Sequence, residues 1–379
     1  MMKRRAFISL PFCLLLLAGN FSCARKYQTF LMPRPYAVEK IAGQAKHVRP
    51  KNIILMVGDG MSLAAMYTAW AANRGHLNIE NCQYVGLCKT YSADRLLTDS
   101  AAGGTAFATG RKTNNGSVGV DAGGKPQASI LEIARRHGLS TGLIATCNIL
   151  DATPAVFVAK TGDRDQWDEI ALHYVASDVD FVCGGGWKYF RNGRDGRDLT
   201  KELAGKGYQL PRTVEELEKT SEGRVFALIA DDNLPELKKR GDALPRAATK
   251  AIELLSRNER GFFLMIEGSM IDDGGHDNKL GLLMDEFHDF DRTVGIALKW
   301  AAKDGETLVV VTADHETGGW TLLGGDIASG KVMGKFATGD HSGVMVPVYS
   351  FGPKAENFSG IFENSDLFGK MLDAYGFGN

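Results

Sequence analysis

Short apolar runs recur along most of the chain, and stretches with the spacing of amphipathic helices separate them. Nearly continuous apolar runs are typical of strands that are buried on both faces of a parallel sheet. On this basis we predict strands at residues 52–57, 84–90, 141–146, 181–183, 225–230, 262–267, 307–312 and 346–351.

Capping signals and apolar stripes predict the intervening helices. Ser129 and Glu132 form a capping-box pattern for a helix that stops at Gly138. A second helix is predicted over residues 280–303, and Pro245 suits the first turn of a third. The apolar stripe of the second helix consists of Leu283, Phe287, Phe290, Val294 and Ala297. This alternation predicts an α/β fold, a three-layer α/β/α sandwich with a large, mostly parallel central sheet.

The first 23 residues have the pattern of an export leader. Basic residues at positions 3–5 precede an apolar run over 6–18, which is too short to span a bilayer stably. Cleavage could follow Ala18 or precede Cys23. The second would give a lipoprotein with a membrane anchor at Cys23, although residues 20–22 are a poor lipobox. Residues 1–23 are therefore predicted as a signal peptide of a periplasmic, cell-surface or extracellular protein.

The rest of the chain is predicted to hold one large domain. Residues 24–47 have the composition of an extended, basic N-terminal arm, and residues 48–379 are predicted to form a single catalytic domain. The polar, glycine-rich segment 160–243 is predicted to form surface excursions of that domain. Cys82 and Cys88 could pair in an oxidising compartment, whereas Cys147 and Cys183 follow apolar strands and are predicted as buried thiols.

Composition narrows the class of protein. The chain has 379 residues, of which 44% are hydrophobic and 23% are charged, values typical of a soluble globular protein. The formal net charge is −1. Binding to a nucleic-acid backbone requires clustered Lys and Arg, so nucleic acid is not expected as a specific partner.

Polar clusters recur where the predicted strands end, which is where open α/β sheets bind their ligands. Asp59 lies between two glycines after the first predicted strand and could bridge cations, although Asp-Gly is also an ordinary turn. Ser100 lies among small residues where a helix is predicted to begin. The helix dipole and free N–H groups there would favour an alkoxide or a bound phosphate, and a simple N-cap role is the alternative.

The segment 267–276 indicates metal binding. It places Glu267, Asp272, Asp273 and His276 directly after an apolar strand. Carboxylates gathered this closely repel one another unless cations neutralise them. A mixed set of oxygen and nitrogen ligands suits zinc, whereas oxygen ligands alone suit magnesium.

Further candidate groups lie in three other segments. Asp314 and His315 follow the strand predicted at 307–312 and form a ready pair of metal ligands, whereas a single histidine such as His341 is more often structural. Arg164 follows the polar segment 151–154. Arginine is the side chain best shaped to hold two phosphate oxygens, although an arginine in a polar loop is usually only solvated.

Taken together and in this order, these motifs closely resemble those of the alkaline phosphatase family. The resemblance extends from about residue 51 to residue 377, most of the mature chain. The segments that carry it surround Asp59, Ser100, Thr153, Glu267 and Asp314. It implies an alkaline-phosphatase-like fold and a homodimer.

The resemblance also implies an activity: hydrolysis of phosphate monoesters through a phosphoserine on Ser100, with two Zn²⁺ and one Mg²⁺ as cofactors. Arg164 would hold two phosphate oxygens, and Asp99 would orient Arg164. The first zinc would be held by Asp272, His276 and His341, the second by Asp59, Asp314, His315 and Ser100, and the magnesium by Asp59, Thr153 and Glu267.

Two features depart from the family pattern. Asp151 and Asp273 are expected near the phosphate, where some relatives have a lysine and others have histidines. The missing positive charge predicts weaker binding and faster release of phosphate. In addition, His341 follows Glu316 by only 25 positions, so the extra surface domain of animal members is not expected.

Two other functions stay open at this point. One is a different enzyme of the same superfamily, such as a phosphodiesterase, a sulfatase or a cofactor-independent phosphoglycerate mutase. The other is a non-enzymatic binding protein on the same scaffold. The residues around Ser100 lack the Cys-x-Pro-x-Arg-like context of sulfatases, and the complete set of candidate ligands disfavours a role in binding alone.

Overall fold

The computed structural model describes residues 26–43, 49–193 and 196–378. The predicted leader, Cys23 and parts of the predicted N-terminal arm lie outside these residues. In the part of the chain that is described, no helix combines the length and apolar character that a membrane span requires.

Strands build a large central sheet and two small ones. In chain order they are β1 (Gln28–Leu31), β2 (Asn52–Gly58), β3 (Tyr84–Lys89), β4 (Ser140–Asn148), β5 (Phe181–Gly185), β6 (Tyr208–Gln209), β7 (Arg224–Leu228), β8 (Phe262–Gly268), β9 (Thr307–Thr312), β10 (Glu316–Thr317), β11 (Thr321–Asp326), β12 (Lys331–Lys335), β13 (His341–Ser342), β14 (Val346–Phe351) and β15 (Gly360–Glu363).

The central sheet has ten strands in the order β15-β3-β14-β9-β2-β8-β4-β5-β7-β6. Only β14 runs antiparallel to its neighbours, and the other pairs of this sheet are parallel. The side chains of β2, β8 and β9 are buried along the whole length of each strand. Successive side chains of a strand point to opposite faces of the sheet, so their complete burial requires other elements on both faces. This confirms the predicted layer order.

Helices supply that cover. In chain order they are α1 (Leu63–Ala72), α2 (Ser100–Thr109), α3 (Ile130–Arg136), α4 (Ala152–Ala155), α5 (Trp167–Ser177), α6 (Trp187–Arg191), α7 (Leu199–Gly205), α8 (Val214–Lys219), α9 (Leu237–Arg240), α10 (Ala243–Leu255), α11 (Met270–His276), α12 (Leu280–Asp304) and α13 (Asp366–Tyr375), with short 3₁₀ helices at Asn78–Asn81 and Ala355–Phe358.

The helices form two layers. α10 and α12 contact each other and β8, whereas α3 and α4 contact β8 as part of a second group that includes α2 and α13. The predicted capping box begins α3, because Ser129 Oγ accepts from Glu132 N (3.1 Å) and Glu132 Oε2 accepts from Ser129 N (2.7 Å). The three-layer α/β/α sandwich is thus confirmed.

Some features differ from expectation. The segment 160–243, predicted to hold surface excursions and not a separate domain, contributes β5, β6 and β7 to one edge of the central sheet; β5 and β7 coincide with strands predicted at 181–183 and 225–230, and only β6 was not predicted. Its polar composition reflects the exposed loops and helices between those strands. The N-terminal β1 pairs with β12 in a three-stranded sheet with β11. The cysteines that the structure describes, Cys82, Cys88, Cys147 and Cys183, are free thiols, so the Cys82–Cys88 pair is not formed, and the last three are buried.

Candidate active site

Three neighbouring parallel strands bring acidic residues to one edge of the central sheet. β9, β2 and β8 lie side by side. Asp314 follows β9, Asp59 follows β2, and Glu267 is the penultimate residue of β8. The carboxyl ends of parallel strands meet at one edge, so segments more than 200 positions apart in the chain converge there.

Ser100 begins α2 at the same edge. The Asp99 side chain caps this helix by accepting from Ala102 N at 2.9 Å. Ser100 is buried, and its Oγ lies 3.1 Å from His315 Nε2. α2 approaches closely because a Cβ on Gly103 would lie only 2.9 Å from the carbonyl oxygen of Asp314. The serine hydroxyl therefore faces the acidic cluster from a helix N-terminus.

Asp59, Asp314 and His315 form the most buried cluster. His315 Nε2 lies 3.2 Å from Asp314 Oδ2 and 3.5 Å from Asp59 Oδ1. Within the described residues, both of these carboxylate oxygens are buried and accept no hydrogen bond. Burial, followed by the charge of Asp314, raises the pKa of Asp59 well above its usual range. Buried oxygens without donors around a histidine nitrogen fit a divalent cation such as zinc.

The orientation of Asp314 is fixed by the backbone. Asp314 Oδ1 accepts from Gly60 N (3.2 Å) and from its neighbour His315 N (3.0 Å). The other oxygen, Oδ2, is thereby directed towards His315 Nε2. Loop N–H groups thus hold one carboxylate oxygen and leave the other for a ligand.

Asp272, His276 and His341 form a second, more open cluster. His276 Nε2 lies 3.3 Å from Asp272 Oδ2 and 3.2 Å from His341 Nε2, which is itself 3.9 Å from Asp272 Oδ1. The Nδ1 atoms face carbonyl oxygens, at 3.0 Å in His276 (Gly339) and 2.7 Å in His341 (Thr98). A nitrogen that donates to a carbonyl leaves its ring partner free to bind a metal, so this set also fits zinc.

The charges of this second cluster are strongly coupled. Burial alone would raise the pKa of Asp272, but the hydrogen bond with His276 lowers it to about 2. The hydrogen bond to Asp272 correspondingly raises the pKa of His276 to about 9. The carboxylate thus stays ionised and attracts positive charge, as a metal ligand must.

A third group contains oxygen atoms only. Thr153 Oγ1 donates to Asp59 Oδ2 at 3.4 Å. Glu267 is buried beside Asp59, and burial followed by the charge of Asp151 raises the pKa of Glu267 well above its usual range. An oxygen-only set that shares Asp59 with the first cluster fits magnesium.

Arg164 is held beside Asp99, the residue that precedes Ser100. Its Nη1 donates to Asp99 Oδ2 at 3.2 Å and its Nη2 donates to Asp151 Oδ1 at 2.7 Å. Asp99 Oδ2 also accepts from Gly116 N at 2.9 Å. The guanidinium group is therefore fixed by two carboxylates, one of which directly precedes Ser100, as expected for Asp99.

Asp273 lies on α11 next to Asp272. Asp273 is exposed at the surface, but partial loss of solvation, followed by the charges of Asp272 and Asp151, raises its pKa to about 6. The structure thus brings every residue singled out in the sequence to one region.

It also adds residues that the sequence analysis did not assign. Thr317 contacts Asp272 and His315, one residue from each of the two clusters that fit zinc (the zinc-type clusters). The Cys147 thiol lies 3.7 Å from Glu267 Oε2. The only signal in the sequence that could have identified Thr317 is its position directly after Asp314, His315 and Glu316.

Comparisons with known proteins agree with this geometry. A family model described as alkaline phosphatase matches residues 50–335. Alkaline phosphatase 4 of Bacillus subtilis is 33% identical over 83% of this chain and 87% of that protein. Alkaline phosphatase of Escherichia coli is 31% identical over 86% of each.

Solved structures extend the comparison to the fold. The alkaline phosphatase of the Antarctic bacterium TAB5 has a TM-score of 0.83 and 38% identity, covering 88% of this chain and 100% of that one. A variant of that enzyme, with aspartate in place of one histidine, has Mg bound in its M3 site and matches this chain with a TM-score of 0.83 and 37% identity, covering 89% of this chain and 100% of that one.

Proposed function

The chain belongs to the alkaline phosphatase family, and from that premise we propose that it hydrolyses phosphate monoesters through a phosphoserine formed on Ser100. One observation carries the proposal. The Ser100 Oγ lies 3.1 Å from His315 Nε2, beside the buried oxygens of Asp59 and Asp314 that accept no hydrogen bond among the described residues. A serine at a helix N-terminus beside an unsatisfied ligand set is suited to nucleophilic attack on phosphorus.

The ligand sets favour two zinc ions and one magnesium ion. Asp272, His276 and His341 would hold the first zinc. Asp59, Asp314 and His315 would hold the second, together with Ser100. The magnesium would be held by Asp59, Thr153 and Glu267. When bound, these ions neutralise the clustered carboxylates, lower the pKa of coordinated hydroxyl groups and stabilise charge on the phosphoryl oxygens and the leaving group. The magnesium in the TAB5 variant supports the choice of the third ion.

The chain itself positions the reacting groups. Ser100 presents its oxygen at the N-terminus of α2, where backbone N–H groups and the helix dipole favour a transferring phosphoryl group. Asp99 and Asp151 hold the Arg164 guanidinium so that it can contact two non-bridging phosphate oxygens. Attack by the Ser100 oxygen, with loss of its proton, forms the Ser100–phosphate bond as the bond to the alcohol breaks, and the alcohol leaves after it takes up a proton. A water molecule then attacks phosphorus and breaks the Ser100–phosphate bond, which releases phosphate and restores the Ser100 hydroxyl.

We also propose that the protein is exported and acts as a homodimer. The basic residues at positions 3–5 and the apolar run over 6–18 support export to the periplasm or cell surface, and Cys23 offers a site for a lipid anchor. Family membership supports the dimer. Globomycin-sensitive cleavage of the full-length precursor directly before Cys23 would support the lipid anchor, and cleavage after Ala18 would exclude it.

Hydrolysis assays with matched substrates and variants test the proposed function. Wild type and Ser100→Ala are loaded with zinc and magnesium, their metal content is measured, and p-nitrophenyl phosphate is compared with its bis ester at alkaline pH. We expect monoester turnover in wild type and a loss of at least about a thousandfold in Ser100→Ala with unchanged metal content. Preference for the diester would favour a phosphodiesterase, and an inactive wild type with full metal content would favour a binding protein.

A further inference from the structure

Thr317 joins the two zinc-type clusters through a single hydroxyl group. It lies in β10, which pairs antiparallel with β13 so that Thr317 faces His341 across the ladder. The Thr317 side chain is buried. Its Oγ1 is hydrogen-bonded to Asp272 Oδ1 and lies 3.1 Å from His315 Nδ1. One residue therefore contacts a ligand of each cluster and is paired through its backbone with a third.

The direction of these hydrogen bonds follows from the groups involved. An ionised carboxylate can only accept, so the Thr317 hydroxyl donates its single proton to Asp272. The Thr317 oxygen is then an acceptor for His315, and the proton of the neutral imidazole lies on Nδ1. His315 Nε2 is left with a free lone pair, and this is the atom that faces Ser100, Asp59 and Asp314.

Glycines allow the close packing on which this arrangement depends. A Cβ on Gly60 would lie 2.8 Å from Thr317 Oγ1 and 2.9 Å from Asp272 Oδ1. A Cβ on Gly275 would lie 2.8 Å from Thr317 Cγ2. All three distances are too short for a real Cβ, so glycine at these two positions allows α11 to pack against β10 around Thr317.

We propose that Thr317 is a positioning residue that fixes the His315 tautomer and the Asp272 carboxylate together, and so couples the two zinc sites. This inference rests on the proposed function in that it takes these residues as zinc ligands. Groups that orient metal ligands in this way commonly change metal affinity by about 10- to 100-fold when they are removed. Because one hydroxyl serves both clusters, its loss weakens zinc binding at both.

Substitutions of equal size separate the hydroxyl from packing. Thr317→Val keeps the shape of the side chain and removes the hydroxyl, whereas Thr317→Ser keeps the hydroxyl and removes a methyl group. Thr321→Val, at an exposed position on β11, is the control for loss of a threonine hydroxyl in the same region. The full chain is stripped of metal, and its affinity for Zn²⁺ is measured by competition with a chromophoric chelator.

We expect Thr317→Val to weaken both high-affinity zinc equivalents by about 10- to 100-fold, with Thr317→Ser and Thr321→Val close to wild type. The inference would be contradicted if Thr317→Val bound zinc as tightly as wild type, or if Thr317→Ser and not Thr317→Val lost affinity. It would also be contradicted if wild type did not bind two zinc ions tightly. The assay reads zinc binding without turnover. A failure of the proposed phosphomonoesterase activity would therefore appear in the hydrolysis assays and leave this result intact.

Discussion

The side chain of Asp273 adds a negative charge where the phosphate is expected to bind. It lies on α11 next to Asp272, and its pKa is raised to about 6 by partial loss of solvation and by the charges of Asp272 and Asp151. Near neutral pH and above, a carboxylate at this position opposes a phosphate dianion. The weaker product binding expected from the sequence therefore has a structural basis in the neighbours of Asp273.

A charge reversal at this position tests its effect on phosphate. We expect Asp273→Lys to strengthen competitive inhibition by inorganic phosphate about tenfold or more, which corresponds to about 1.4 kcal/mol. Asp277→Lys makes the same change in charge at an exposed position one turn further along and is the control. An unchanged inhibition constant in Asp273→Lys, or an equal gain in Asp277→Lys, would show that Asp273 does not act on bound phosphate.

Among the elements, α2 determines how closely Ser100, the proposed nucleophile, approaches the proposed metal ligands. The first turn of this helix packs directly against the loop after β9, and Gly103 lies at the contact, where a Cβ would be 2.9 Å from the Asp314 carbonyl oxygen. A Cβ on the next residue, Gly104, would instead meet Val156 Cγ2 at 3.2 Å, and a side chain can shift where a backbone cannot.

The two glycines therefore form a matched pair of substitutions. Gly103→Ala must push α2 away from Asp314 and displace Ser100, and displacements near 1 Å can reduce turnover about a hundredfold. We expect kcat to fall about 10- to 100-fold in Gly103→Ala and to change much less in Gly104→Ala, with both proteins folded by circular dichroism. Equal losses in the two variants would mean that helix stability, and not the approach of Ser100, limits turnover.

The elements that could be predicted from the sequence are those whose burial is complete. β2, β8, β9 and β14 match the apolar runs to within a residue, because a strand buried on both faces must be apolar along its length. β10 and β13 have two residues each and carry no periodicity. Their pairing aligns Thr317 with His341, so the role of Thr317 was not visible in the sequence.

At the scale of the whole molecule, the site is assembled by topology. Parallel strands from distant parts of the chain end at one edge, and this rule predicted that the polar residues after them lie together. Arg164 and His341 were added to the site only by the family resemblance. The pairing of β1 with β12 and the place of β6 at the edge of the central sheet were not predicted, whereas β5 and β7 coincide with the apolar runs predicted as strands at 181–183 and 225–230. β1 is half-exposed and β6 has only two residues, so neither has the apolar pattern of a buried strand.

The proposed mechanism depends on a covalent bond between phosphate and Ser100. The measurement that tests it most directly is rapid acid quenching of the metal-loaded enzyme during turnover of a phosphate monoester, followed by mass spectrometry of the peptide that contains α2. The proposed mechanism predicts one added phosphoryl group on Ser100 in wild type and none in the same peptide of Ser100→Ala. Turnover in wild type without any phosphorylated peptide, or a phosphoryl group on another residue, would contradict it.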